Sequence, residues 1–140
     1  KNSYTCYRRR KIKMIKKTVF IALLALGAIA CKKVDDSENP VITIFTPTTN
    51  QEFESADSVT INFKVEDADL HEVGFTIVKE GTTDTLYNKP ASHTHDSPFV
   101  INKKYFVPAD AHTDATLVVN AEDHNGNTAS KSVNFHIHPM

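Results

Sequence analysis

The chain has 140 residues, with 16 basic and 17 acidic side chains and a formal net charge of −1, which allows one domain and little more. That near-neutral total hides a division, because residues 1–30 hold eight bases and no acid, leaving residues 31–140 with eight bases against all 17 acids. A body so acidic repels phosphate, which argues against a nucleic-acid partner.

The basic pair Lys16-Lys17 precedes the apolar run Val19–Ala30, and the small residues Ala28 and Ala30 stand just before Cys31. Basic, apolar and small zones in that order are those of a secretory signal, placing a signal peptide over residues 1–30. The apolar run is too short to span a bilayer, which takes about 20 residues. Met14 makes an ordinary start for such a signal, so residues 1–13 read as upstream sequence. Cys6 goes with them. Cys31 is then the one remaining cysteine, and no disulfide is expected.

The segment Ala28–Cys31, AIAC, resembles the lipobox of bacterial lipoproteins, in the looser form with Ala28 where Leu is common. The resemblance implies acylation at Cys31 and anchoring in a membrane, each buried CH₂ contributing about 0.8 kcal/mol. Residues 31–40 then form the lipidated Cys and a flexible, polar tether. Its acids Asp35, Asp36 and Glu38 resemble the surface-export signal of Bacteroidota lipoproteins; a plain solvated spacer is the alternative. The expected location is the outer membrane, facing the cell surface, with the periplasmic face as the alternative.

From Val41 the pattern has period two. Val59, Ile61, Phe63 and Val65 alternate with polar residues, as do Val73, Phe75 and Ile77, then Leu117, Val119 and Ala121, then Val133, Phe135 and Ile137. Alternation of this kind marks strands with one buried face. Seven strands are predicted, over 41–46, 58–66, 72–79, 83–88, 98–107, 115–122 and 129–138. Turn signals separate them at Thr49-Asn50, Asp69, Gly81, Pro90, Pro108 and Asn125-Gly126. Asn-Gly between alternating runs predicts an antiparallel hairpin of the last two strands. Residues 41–140 are therefore expected to be all-β, an immunoglobulin-like seven-stranded antiparallel sandwich.

The stretch Val118–Ser130, VVNAEDHNGNTAS, resembles the closing hairpin of bacterial Ig-like domains, and VPADA at 107–111 recurs in such proteins. The whole pattern resembles the small Ig-like lipoproteins of Bacteroidota, several of which form families of unknown function. That resemblance implies a fold and a location but no activity.

In a seven-strand sandwich alternate loops share one pole. That rule puts His71, His93, His95 and His124 at one pole, with Asp67, Asp69, Asp96 and Asp123. It sends His112, His136 and His138 to the other. Histidines two apart on an extended strand share a face and can converge on one ion, with Zn–N near 2.0–2.1 Å. Zn²⁺, Cu²⁺ or Ni²⁺ suits such a set. The first candidate metal set is His93 and His95, completed by His71, His124 or Asp96; the alternative set is His112, His136 and His138. The bland reading is that exposed histidines merely solubilise loops and strand edges.

A calcium site is a further candidate, from Glu66, Asp67, Asp69 and Asp123 with Asn125 and Asn127, although the same residues are what turns use locally. Tyr87, Phe99 and Tyr105 are candidates for a stacking patch that takes a glycan or a peptide, against the plainer expectation of partly buried edge aromatics. No Gly-x-Ser-x-Gly, His-Glu-x-x-His or phosphate-loop motif is present, and no enzyme is expected. The first reading is a non-enzymatic Ig-like module binding a surface protein or glycan; the alternative is a metal-binding lipoprotein.

Overall fold

A computed structural model describes residues 37–139; the expected signal segment and Cys31, the expected site of acylation, lie outside the described residues. Eight strands follow one another: β1 (Val41–Thr46), β2 (Gln51–Phe53), β3 (Val59–Glu66), β4 (Leu70–Lys79), β5 (Thr85–His93), β6 (Phe99–Tyr105), β7 (Thr113–Asp123) and β8 (Thr128–Ile137). A 3-10 turn at Ala56–Ser58 precedes β3. Among the described residues no helix is long and apolar enough to cross a membrane. The strands form two sheets, β1-β3-β6 and β2-β8-β7-β4-β5.

The period-two sorting explains the layers. Val59, Ile61, Phe63 and Val65 of β3 are buried and alternate with half-buried Thr60, Asn62 and Lys64. From the larger sheet Val73, Phe75, Ile77, Leu117, Val119, Phe135 and Ile137 meet them in one core. Phe63 and Phe75 bridge the layers edge to face at 5.8 Å. Phe75 also touches Tyr87 at 5.6 Å and Tyr105 at 5.3 Å. Those tyrosines, with Phe99, pack partly buried against the core, so the proposed stacking patch is largely spent on packing.

Three details depart from the sequence reading. Among the described residues there are eight strands, not seven: β2, only three residues long, runs parallel to β8, with Gln51 opposite Phe135. Asn50, at φ 60°, turns the chain from the small sheet into the large one and donates its N–H to the Asn134 carbonyl at 2.9 Å. Pro90, read as a turn, lies inside β5; an edge strand tolerates a missing N–H on its outer side. Finally, β7 extends one residue beyond its expected end, to Asp123, which brings His124 to its tip.

Gly74 fixes how closely β5 lies on β4. A Cβ there would sit 2.6 Å from the Ala91 nitrogen and 2.8 Å from its Cα, at the irregularity between the Val73 and Phe75 pairings. Gly74→Val should therefore cost about 1–3 kcal/mol through overpacking, read as a lower urea midpoint, and should loosen β5. An unchanged midpoint would mean that β5 yields freely.

Candidate metal centre

His71 reaches its position through an irregularity in β4. Leu70 pairs with Asp123 and Glu72 with Glu122, so His71 is an extra residue against β7. Bulges of this kind re-aim side chains. Strict alternation from Val73, Phe75 and Ile77 would send His71 into the core. The slip buries Leu70 instead and leaves His71 half-exposed.

The His71 carbonyl accepts the Thr94 N–H at 2.8 Å, which lays residues 93–95 alongside the bulge. Thr94 is buried, and its hydroxyl accepts the Asp96 N–H at 3.1 Å, while His93 and His95 on either side face outward. His124 joins them from the β7–β8 turn, its backbone N–H donated to the Asp69 carbonyl at 3.0 Å. Four imidazoles from three segments thus form one cluster. Ring centroids are 4.4 Å apart for His71–His124, 4.6 Å for His71–His93 and 4.4 Å for His93–His95, and His95 stacks on His124 at 5.2 Å.

Ligand nitrogens of His71, His93 and His124 all lie within 4.8 Å of one another. His95 is outside that triad, but its Nε2 is 2.9 Å from His93 Nε2. The sequence reading took His93 and His95 as the central pair; the structure puts His71 and His124 with His93 and leaves His95 beside them, because the bulge turns His71 toward the β7–β8 turn. Asp96 belongs to neither of the clustered groups among the described residues.

The tautomer of His124 follows from its partners. Its Nδ1 lies 3.0 Å from the Asp69 carbonyl and 3.3 Å from Asp69 Oδ1, both acceptors, so Nδ1 carries the hydrogen. Nε2 then carries the lone pair and accepts from His71 Nδ1 at 3.2 Å, a proton that an incoming ion would displace. Two nitrogens on a tetrahedral ion at 2.0–2.1 Å stand about 3.3 Å apart, so this gap is already ion-sized. A carbonyl or carboxylate holding the far N–H of an imidazole is the usual support behind a metal ligand. Desolvation by its neighbours, then the His95, His71 and His124 rings, lower the His93 pKa below its ordinary 6.5, against an upward pull from Glu72. His93 is therefore neutral and ready to ligate at neutral pH.

Asp67, Asp69 and Asp123, with Glu66, do not form a comparable group among the described residues. Asp67 Oδ1 accepts the Asp69 N–H at 2.8 Å. Asp123 is 1% exposed and accepts the N–H groups of Asn125 and Asn127, both at 2.8 Å, and the Asn127 amide at 2.7 Å. Asp67 and Asp123 are thus engaged in turns, Asp69 in orienting His124 and Glu66 in an ion pair with Lys64 at 2.8 Å, so the calcium candidates do not converge as the histidines do. Burial alone would raise the Asp123 pKa, but the hydrogen bonds from Asn127, Asn125 and Gly126 outweigh it and hold it below the ordinary 3.8.

A depressed carboxylate binds fewer protons folded than unfolded, so Asp123 contributes stability above pH 3.8 that is lost as pH falls through its folded value. Asp123→Asn should lower the melting temperature at pH 7 and flatten the profile below pH 4, as followed by thermal scans. An unaltered acid limb would contradict this role.

At the far end of β7 stand His112, His136 and His138, whose ligand nitrogens also lie within 4.8 Å of one another. His136 lies opposite Asp114 on β7 and Glu52 on β2.

No family model matches the chain, and no curated protein matches it. Among solved structures it is similar in fold to CopC from Methylosinus trichosporium OB3b, at 10% identity over 71% of this chain and 96% of that one, with a TM-score of 0.50. An engineered protein overlaps with 73% of this chain and 20% of its own length at 14% identity and a TM-score of 0.44, too low to carry an argument. The first likeness speaks for the two-layered all-β fold alone.

Proposed function

We propose that this protein is a lipid-anchored metal-binding module whose main centre is His71, His93 and His124, with His95 alongside. The observation that carries this reading is His124, fixed by Asp69 through Nδ1 and presenting the lone pair of Nε2 3.2 Å from an imidazole nitrogen of another strand. Neutral imidazoles select Zn²⁺, Cu²⁺ or Ni²⁺ over the oxygen-seeking Ca²⁺ and Mg²⁺. The cluster is open to solvent, His93, His95 and His124 being exposed, so an ion reaches it without any opening of the fold. Isothermal titration of the purified, chelator-treated protein with Zn²⁺ and Cu²⁺ tests the reading: saturable binding tighter than about 10 μM is expected, and none at that level ends it.

This reverses the order of the two sequence readings, since the histidines converge while the aromatic candidates turn to the core. An immunoglobulin-like connectivity remains our reading of the sandwich. Sheets β1-β3-β6 and β8-β7-β4 parallel the A-B-E and G-F-C sets, with β5 beside β4 and β2 added at the opposite edge.

Anchoring through acyl-Cys31 in the outer membrane, facing outward, completes the proposal and rests on the lipobox resemblance. Cys31→Ser should move the protein from the membrane pellet to the soluble fraction. A variant that stays in the pellet contradicts the anchor.

A further inference from the structure

We infer that His112, His136 and His138 form a second metal centre, independent of the first and open on one side to water. The two clusters stand beyond opposite ends of β7, since His112 precedes Thr113 and His124 follows Asp123. Twelve residues of extended chain separate them by about 40 Å, so they cannot share an ion.

The second cluster is built like the first, from different parts. His136 and His138 alternate with buried Phe135 and Ile137 and so share the outer face of β8. The His138 N–H is donated to the Phe53 carbonyl at 2.9 Å, which holds the strand end against β2. Thr113 ties the segment before β7 by donating its hydroxyl to the Ala111 carbonyl at 2.8 Å, and this brings the His112 ring over both partners, 5.4 Å from His136 and 4.7 Å from His138. Asp114 Oδ1 accepts from His136 Nδ1 at 2.7 Å, so His136 Nε2 carries the lone pair and stands 3.2 Å from His112 Nδ1. Glu52 lies 3.4 Å from His138 Nε2. Two of the three imidazoles thus have a carboxylate behind them, the arrangement that orients metal-bound histidines.

What differs is the surroundings. His136, Glu52, Glu80 and Asp114 line a cavity of about 210 Å³ beside the cluster. At about 30 Å³ each it has room for several waters, and its acidic wall offsets the charge of a divalent cation. Three imidazoles fill three positions of a tetrahedral ion, and with His112 exposed the fourth is left to solvent or a small ligand.

Metal analysis after equilibrium dialysis against Zn²⁺ tests the inference. The wild type should hold two equivalents, His112→Ala one, His124→Ala one, and the two combined none. His112 lies outside the strands, so its variant should keep the fold, checked by circular dichroism. One equivalent that is lost with His124→Ala and kept in His112→Ala overturns the second centre and leaves the first standing. The reverse pattern supports the second centre and removes the first. Two equivalents persisting in His112→Ala also overturn it. Azide added to Co²⁺-loaded His124→Ala protein should shift the visible absorption; an unmoved spectrum overturns the open position.

Discussion

In the His124→Ala protein the zinc-binding step assigned to the His71 cluster should weaken by about 100-fold or more. Loss of a group that merely supports a ligand costs about 10- to 100-fold, and in the proposed centre His124 is itself a ligand. The substitution also leaves His71 Nδ1 without its partner nitrogen at 3.2 Å. The fold should survive, because the bond that seats the turn runs from the His124 backbone N–H to the Asp69 carbonyl and outlasts the side chain. His95→Ala is the internal comparison. His95 stacks on His124 and touches His93 from outside the triad, so its loss should cost about tenfold. Equal losses for the two variants would make His95 a ligand on a par with His124, and a larger loss for His95→Ala would put the ion between His93 and His95.

Phe75→Ala should be the most damaging single change to the fold. Phe75 is 1% exposed and is the side chain on which Phe63, Tyr87 and Tyr105 converge. Emptying that position removes buried area and leaves a void between the sheets, at a cost of about 3–5 kcal/mol. Single domains have about 5–15 kcal/mol in all, so the variant should be marginal or unfolded at 37 °C by chemical denaturation. Phe45→Ala is the contrast. Phe45 is 48% exposed at the edge of the small sheet, and its loss should change the midpoint little. A mild effect at Phe75 would mean that the two sheets are not held mainly through that aromatic group.

The strands were legible because inward and outward residues alternate. Val59 to Val65 and Leu117 to Ala121 lie as the pattern requires, as do Phe135 and Ile137, while Val133 is only half-buried. The sharing of loops between the two poles was legible too, since it depends only on the antiparallel order of β3 to β8, which the extra strand β2 leaves unchanged. β2 was not, because three residues are too few to show a period and its partner is a parallel strand more than 80 residues away.

The His71 bulge was hidden for a related reason. It breaks alternation at a single residue, visible only in hindsight as Leu70 and Val73 both buried at a spacing of three. The supporting carboxylates were beyond reach as well. Asp69 was read as an oxygen ligand and turn former, and Asp114 was not singled out, because behind-the-ligand roles depend on register. Asp114 faces His136 only because β7 and β8 pair as they do. Given that register, an acid opposite a histidine in a cluster is the signal that would have found it.

The central claim is that imidazoles from separate segments are already arranged to receive an ion. X-ray absorption of the His112→Ala/His136→Ala protein loaded with one equivalent of Zn²⁺ tests it most directly, since only the first cluster remains. The account predicts a shell with at least three nitrogens at about 2.0–2.1 Å and the outer-shell scattering of imidazole rings. A first shell of oxygen alone, with no imidazole signature, would contradict it.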